Sequence, residues 1–253
     1  MDNHFSYPDY IARFYDVIYA HLRTVDREYF LHKILGTTGP VLEVGVGTGR
    51  FFTEALNLGS DIYGIDISST MLEQLKTKLD RSQHHRIFHQ DVRSLSLDKR
   101  FELIVAPFHV FSHLLDVDGQ LRALNSIYDH LIPGGRFIFD LFVPDLGILL
   151  HGINEQTDFD GEYAPGRKLR RVVSSKADLV NQISHVTMTL TWDEEGGSRT
   201  ESWHTEMRFF FRYELEHLVS RSRLTLKHIY GDYEERELSP DSKDFIVVCE
   251  REA

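Results

Sequence analysis

The sequence has a single cysteine, Cys249, among 253 residues. One thiol excludes a disulfide framework, and its place in the apolar run FIVVCE predicts a buried structural side chain. Long apolar runs are lacking too, since none approaches the roughly 20 residues that a membrane-spanning helix needs. Residues 1–10 lack a basic patch followed by an apolar run, so we expect no secretory signal. These absences predict a cytoplasmic protein with no membrane partner.

Excess positive charge is also lacking, because the formal net charge is −11 at pH 7. That charge disfavours sequence-independent binding to nucleic acid and binding to an anionic membrane. The basic residues cluster only at Arg167, Lys168, Arg170 and Arg171, which we interpret as a solvated strand edge blunted by charge. Repeats and low-complexity tracts are absent, and an apolar fraction of 42% is ordinary for a globular protein. We therefore expect a small-molecule partner rather than a nucleic acid.

The most informative stretch is VLEVGVGTGR, residues 41–50, in which a short apolar run ends in three alternating glycines. Glycines at this spacing turn a strand sharply into a helix and let a ligand approach the backbone. Asp66 follows the first glycine by about twenty residues, at the end of a second apolar strand, where a carboxylate suits a ribose diol. A dinucleotide loop would read G-x-G-x-x-G, and Glu43 beside the loop suits a cationic ligand better than a pyrophosphate.

These residues resemble the class I S-adenosylmethionine (SAM) dependent methyltransferases. Val41 to Gly49 match the first motif of that family, Asp66 its ribose acid and Asp91 its adenine-side acid, and the Pro133–Gly135 turn precedes its fifth strand. The resemblance covers roughly residues 10–143 and resumes near 213. It implies SAM as the cofactor. The cofactor-binding residues that it implies are Tyr15, Tyr19, Glu43, Gly45, Gly47, Gly49, Asp66, Ile67, Met71, Asp91, Val92 and Phe108.

Apolar runs alternate with helical patterns through residue 143, which predicts a parallel sheet covered by helices on both faces. The resemblance implies a Rossmann-like sheet of seven strands whose last strand is reversed. We predict a methyltransferase core from 1–143 and 213–253 with an N-terminal helical cap. Between these parts, residues 144–212 predict an inserted antiparallel sheet of about three strands, with a hairpin turn at 194–197. The insert is expected to be a substrate lid or the face of a homodimer.

The loop after the fourth strand, APFHVFSHLLD, places His113 at the edge where a methyl acceptor must lie. The stretch resembles the amino-sugar N-methyltransferases locally, which makes His113 a candidate base or hydrogen-bond partner of the substrate. His109 and His113 also have the spacing of two metal ligands on a helix, but no third ligand stands out, so we expect no metal. Tyr15 and Tyr19 would lie over the cofactor, where aromatic faces attract a sulfonium.

Together these features predict an enzyme that transfers a methyl group from SAM to a nitrogen or oxygen nucleophile of a small molecule. Two alternatives remain open. One is a protein of the same fold that binds SAM without transferring the methyl group. The other is a methyltransferase that acts on a protein.

Overall fold

The computed structural model describes residues 7–20 and 25–253. Contacts divide the chain into two compact units, which we call unit 1 (residues 1–143 and 211–253) and unit 2 (residues 144–210). None of the helices in the described part of the chain combines the length and the apolar character that crossing a bilayer requires.

Unit 1 contains a seven-stranded sheet of order β10-β11-β5-β4-β1-β2-β3. Its strands are β1 (Val41–Val44), β2 (Ile62–Asp66), β3 (Ile87–His89), β4 (Phe101–Ala106), β5 (Leu131–Phe142), β10 (Thr225–Tyr230) and β11 (Asp244–Glu250). β1 to β5 pair in parallel, and β11 lies antiparallel between β5 and β10. The predicted Rossmann-like sheet with a reversed last strand is confirmed.

The helices of unit 1 bury apolar side chains in the core of the unit. They are α1 (Asp9–Tyr19), α2 (Val25–Leu35), α3 (Phe52–Asn57), α4 (Ser69–Lys76), α5 (Val117–His130) and α7 (Arg212–Ser220). Side-chain caps fix two of their starts, because Ser68 accepts from the Met71 amide and Asp116 from the Gly119 amide. The sheet centre is dry, with Leu42, Ile104 and Val105 fully buried. The core is therefore continuous beneath the loops that follow β1, β2 and β4.

The turn expected at Pro133–Gly135 lies inside a strand. β5 begins at Leu131, and the pairing with β4 shifts register between Phe101 and Leu103, so the Pro-Gly-Gly segment forms an irregularity within the ladder. Gly134 takes φ 78°, which glycine adopts at little cost. Cys249 is fully buried on β11, and burial raises the pKa of its thiol. A structural role for this thiol is what the sequence predicted.

Unit 2 is an antiparallel sheet of order β6-β7-β8-β9, preceded by α6 (Leu146–His151). Its strands are β6 (Ile153–Ala164), β7 (Arg167–Asp178), β8 (Ile183–Glu194) and β9 (Gly197–Arg208). The antiparallel sheet is confirmed, but four strands replace the expected three. β6 escaped the prediction because its sequence INEQTDFDGEYA carries few apolar residues and slips register three times against β7.

The sequence analysis interpreted the basic cluster of β7 as a solvated strand edge, and that interpretation is wrong. β7 is an inner strand, between β6 and β8. Arg171 is only 4% exposed, and its guanidinium lies 2.7 Å from the Asp158 carboxylate. A buried arginine needs such a partner, whereas Arg170 keeps its exposure and bonds the Thr157 hydroxyl. Adjacent positions of β7 therefore face opposite sides of the sheet, one of them buried and the other exposed.

Candidate cofactor site

The three glycines after β1 all lie in the left-handed region, with φ 69° at Gly45, 54° at Gly47 and 86° at Gly49. A Cβ on Gly45 would overlap Val110, and one on Gly49 would overlap Leu75, so internal packing explains these two. At Gly47 a Cβ would meet nothing nearer than the Gly45 carbonyl, at 3.8 Å, in the described part of the chain. The open space for a ligand therefore lies over Gly47.

Asp66 ends β2 directly beside that space. Its Oδ2 accepts the Gly47 amide at 2.8 Å, and its Oδ1 accepts the Ser68 amide at 2.7 Å. Burial raises the pKa of Asp66, while these two amides pull it down. The Ile67 amide also hydrogen-bonds this carboxylate, which leaves it one acceptor site out of about four for a ligand hydroxyl. The carboxylate thus fixes the glycine loop as well as suiting the ribose role that the sequence predicted.

Glu43 lies within β1 and is 1% exposed. Its Oε2 has no hydrogen-bond partner among the described residues. Burial raises the pKa of Glu43 well above its usual range, the Asp66 charge raises it further, and Arg50 lowers it only in part. An unpartnered buried carboxyl is costly, and a cationic ligand group would relieve that cost. The site therefore fits a positively charged ligand.

Asp91 has a local role that the resemblance did not imply. It precedes the short 3-10 turn Val92–Ser94 and accepts the Arg93 amide at 2.8 Å. Burial acts to raise the pKa of Asp91, but the hydrogen bonds from Arg93 outweigh it and lower the pKa overall. Val92 opens the same turn, next to the end of β3. Adenine binding by Asp91 and Val92 remains a prediction.

Four aromatic side chains form a cluster that we call the aromatic lid: Tyr7, Tyr15, Tyr19 and Phe108. The ring centroids of Tyr15 and Tyr19 are 4.6 Å apart, those of Tyr19 and Phe108 5.1 Å, and those of Tyr7 and Tyr15 6.1 Å. Burial raises the pKa of Tyr7 and of Tyr15, and the Asp66 charge adds to both shifts. Tyr7 and Tyr15 therefore lie near Asp66, and cofactor contact by Tyr15, Tyr19 and Phe108 remains a prediction.

Tyr7 was not predicted, because it precedes α1 and belongs to no helical period. Its backbone is tied to the start of α4, since the Tyr7 amide donates to Ser68 Oγ at 3.4 Å and its carbonyl accepts the Thr70 hydroxyl at 2.6 Å. Ile67 lies beside this anchor, and Met71 packs in the first turn of α4, 1% exposed. The burial of Met71 against the core is structural, and cofactor contact by Ile67 and Met71 remains a prediction.

Arg50 and Asp26 form a second feature that sequence reasoning missed. α2 begins at Val25, so Asp26 lies in its first turn, and the 1% exposed Asp26 carboxylate accepts the Arg50 guanidinium at 2.8 and 2.9 Å. Arg50 lies over the rings of Phe51 and Phe108, at 4.9 and 5.1 Å from their centroids. The Asp26–Arg50 pair therefore packs against the Phe108 ring of the aromatic lid.

The loop after β4 holds two histidines in different settings. His113 ends the 3-10 turn Val110–His113 and is half-buried. His109 contacts two carboxylates, with its Nε2 3.3 Å from Asp244 and 3.6 Å from Asp140. The structure does not place the two histidines in one group of metal donors. Among the described residues such a group consists of His109, Asp140 and Asp244, whose contacts with one another already account for this arrangement.

Comparison with known proteins agrees with this geometry. Residues 41–135 match the family model of the methyltransferase domain. The chain is 24% identical to the cypemycin N-terminal methyltransferase of a Streptomyces species, over 84% of this chain and 83% of that one. It is 22% identical to the dTDP-3-amino-3,6-dideoxy-alpha-D-glucopyranose N,N-dimethyltransferase of Streptomyces fradiae, over 71% and 66%.

The fold itself recurs in solved structures. A sugar N-methyltransferase from a Streptoalloteichus species superposes with a TM-score of 0.76 at 18% identity, covering 94% of this chain and 93% of that chain. With the family match and the site over Gly47, the chain is a class I SAM-dependent methyltransferase. Its cofactor is SAM.

Proposed function

We propose that this enzyme methylates an amine nitrogen of a small molecule, with amino sugars as the first class to test. The observation that carries the proposal is the open space over Gly47, which is flanked by the unpartnered Glu43 carboxyl and by Asp66. Two relatives, the amino-sugar N,N-dimethyltransferase and the cypemycin N-terminal methyltransferase, support a nitrogen acceptor, whereas two others are named malonyl-[acyl-carrier protein] O-methyltransferases. The net charge of −11 favours a small acceptor over a nucleic acid.

The residues divide the work by their chemistry. Glu43 would hold the ammonium group of the cofactor's amino-acid end, Gly47 would leave room for it, and Asp66 would accept a ribose hydroxyl. Bound SAM supplies a methyl group that its positive sulfur has already activated. The aromatic lid excludes water and presents ring faces to that positive charge. The chain therefore has mainly to align the acceptor nitrogen with the methyl group.

His113 is the proposed partner of the acceptor. An amine attacks only as the neutral base, so a proton must leave before or during transfer. A neutral imidazole can take that proton. The position of His113 after β4 supports the role, because ligands of open α/β sheets bind beyond the carboxyl ends of the strands.

We propose further that unit 2 sets the choice of acceptor. Residues 144–210 lie outside the matched methyltransferase domain of residues 41–135, so this segment is where a common core would acquire its own specificity. Exchanging the segment for that of an amino-sugar N-methyltransferase should change which acceptors react and leave SAM affinity unaltered. An unchanged acceptor range would contradict this role.

Calorimetry and a methyl-release assay test the main proposal. The protein should bind SAM, and a panel of nucleotide-linked amino sugars should yield methylated product where the matched hydroxy sugars do not. Asp66→Asn should weaken SAM binding by about 1–3 kcal/mol, the range for one partner of a buried charge-assisted hydrogen bond. Asp61→Asn is the matched control, because Asp61 pairs with Arg86 away from the glycine loop.

Other outcomes of these assays would lead to different conclusions. Product from a peptide with a free N-terminus, but from no amino sugar, would move the acceptor class to peptides. SAM binding with no turnover across the panel would favour a binding protein of this fold. Unchanged SAM affinity in Asp66→Asn would overturn the site itself.

A further inference from the structure

The turn that carries Phe108 is strained. Phe108 has φ 63° and His109 φ 59°, so two adjacent residues with side chains take the left-handed conformation that normally favours glycine. Such strain persists only where surrounding contacts hold it, and it concentrates at functional sites. Specific contacts must therefore hold this turn.

Asp140 is the main anchor. It lies on β5, fully buried, and its Oδ1 accepts the His109 backbone amide at 3.0 Å. The His109 ring is held as well, between the two carboxylates already described and edge-on to Phe142 at 5.5 Å. β5 therefore fixes the backbone of His109, and β5 and β11 together fix its side chain.

Asp140 is in turn fixed by Tyr233. The Tyr233 hydroxyl donates to Asp140 Oδ2 at 2.6 Å. Tyr233 belongs to the loop between β10 and β11, which folds back on itself through a hydrogen bond from the Gly231 amide to the Arg236 carbonyl. Glu235 of the same loop pairs with Lys33 and accepts the Tyr29 hydroxyl at 3.2 Å. A loop far along the chain thus completes the support of Asp140.

The turn decides where the Phe108 ring lies. In this conformation the ring meets Tyr19 and Tyr15 edge-on, at 5.1 and 6.5 Å, and it lies over the Arg50 guanidinium. Relaxing residue 108 or 109 to an ordinary backbone conformation would swing that ring out of the aromatic lid, because φ at residue 108 sets the direction of its side chain.

We propose that Tyr233 and Asp140 are positioning residues for SAM binding. They hold the strained Phe108–His109 turn and thereby keep Phe108 in the aromatic lid. This inference rests on the proposed function, since it needs the lid to contact the cofactor. Tyr233 is linked to the turn by its hydrogen bond to Asp140, so we expect its effect on SAM binding to pass through that carboxylate and the turn.

Tyr233→Phe is the central test, with the SAM dissociation constant measured by calorimetry. Loss of one hydrogen bond to a buried carboxylate should weaken SAM binding about tenfold. Tyr29→Phe is the matched control: it removes a hydroxyl that contacts the same loop but not Asp140. That control should change the constant by less than about twofold. Asp140→Asn provides a second variant, read together with thermal melting to establish folding.

A double-mutant cycle separates positioning from general destabilisation. In a Phe108→Ala background, Tyr233→Phe should have no further effect on SAM affinity, because the ring that it positions is gone. A tenfold loss in both backgrounds, or none in either, would overturn the inference. If Phe108→Ala weakens SAM binding and Tyr233→Phe does not, the positioning role alone fails. If Phe108→Ala and Asp66→Asn both leave SAM binding unchanged, the proposed function fails with it.

Discussion

Glu43 shows how one buried carboxyl can select a charged ligand. In the absence of a cation, burial and the neighbouring Asp66 raise the pKa of Glu43, so the protonated form is favoured. A positive group beside Oε2 favours the ionised form instead. Ligand binding and proton release are then linked at this residue.

We therefore predict that SAM binding releases a proton. Since the raised pKa falls when the cation arrives, SAM affinity should rise with pH until the pH exceeds the pKa of Glu43 in the ligand-free protein. Calorimetry in buffers of different ionisation enthalpy measures this release. Glu43→Gln should abolish it, whereas Glu73→Gln, which alters an exposed glutamate of α4, should not. A proton count that is the same in Glu43→Gln and in the native enzyme would contradict the assignment.

The same carboxyl affects stability in the ligand-free protein. A folded-state pKa above the unfolded value gives stability that is present below the unfolded pKa and is lost as pH rises through the folded pKa. Glu43 therefore destabilises the ligand-free fold at neutral pH relative to mild acid. If Glu43 binds the cofactor as proposed, bound SAM should remove that penalty.

His113 permits a sharper test of catalysis. If it takes the acceptor proton, His113→Ala should lower kcat by roughly 10²-fold or more, with SAM affinity little changed. His85→Ala is a suitable control, because His85 lies on the exposed 3-10 turn Arg81–Arg86 before β3. Initial rates with a reactive amine acceptor give the comparison. Rates within a few-fold of the native enzyme would make His113 structural and leave alignment as the source of catalysis.

Residues near the motif were predictable, and residues brought in by long-range packing were not. Glu43, Gly47 and Asp66 follow from the strand–loop–strand spacing, which a parallel sheet converts directly into proximity. Tyr7, Asp26 and Tyr233 reach the site through contacts with residues 61, 24 and 93 positions away. No local pattern encodes such partners, so the sequence could not single them out.

At the scale of elements, the glycine loop carries the clearest prediction. Gly47→Val should abolish SAM binding, because its side chain would fill the open space and resist φ 54°. Gly59→Val is a matched control for backbone strain, since Gly59 also has positive φ, 90°, and nothing within 4 Å of an added Cβ.

Both loop variants should melt at a similarly reduced temperature, and only Gly47→Val should lose SAM. Calorimetry and thermal melting give the two readouts. A folded Gly47→Val protein with native affinity would show that the cofactor lies elsewhere.

The elements themselves were predicted to different degrees. Buried parallel strands such as β4, FELIVA, read as apolar runs because both faces are covered. β6 was not predicted because none of its residues is buried and half are exposed, so burial leaves no alternation in its sequence. The left-handed conformation of Phe108 and His109 could not be predicted either. Tertiary contacts impose it, and these residue types do not favour it by themselves.

At the scale of the whole molecule, β9 makes a homodimer a testable expectation. It pairs with β8 without interruption from Arg208 to Gly197, and it is the edge of its sheet, whereas the opposite edge, β6, is interrupted by register shifts. A long regular edge strand is a template for a second chain unless it is protected. We expect two copies to pair through β9.

Light scattering after size exclusion should give a mass near twice 29.4 kDa at micromolar concentration. Adjacent backbone amides of a strand point to opposite neighbours, so one of Glu201→Pro and Ser202→Pro should break the dimer without opening the β8–β9 pair. Circular dichroism identifies which variant keeps its sheet. A mass of 29.4 kDa for the native protein at all concentrations would exclude this assembly.

The position of β11 has a consequence for the order in which the protein forms on the ribosome. β5 pairs with β11 from Arg136 to Phe142, with Phe142 opposite Asp244, so roughly a hundred residues must be synthesised before β5 has that neighbour. At about 5–20 residues per second, the wait lasts on the order of 5–20 seconds. During that time the four strands of unit 2, each paired with the next in sequence, can already close. Meanwhile one apolar edge of β5 in the nascent core has no partner strand. Chaperone binding or aggregation would compete with correct folding during this interval.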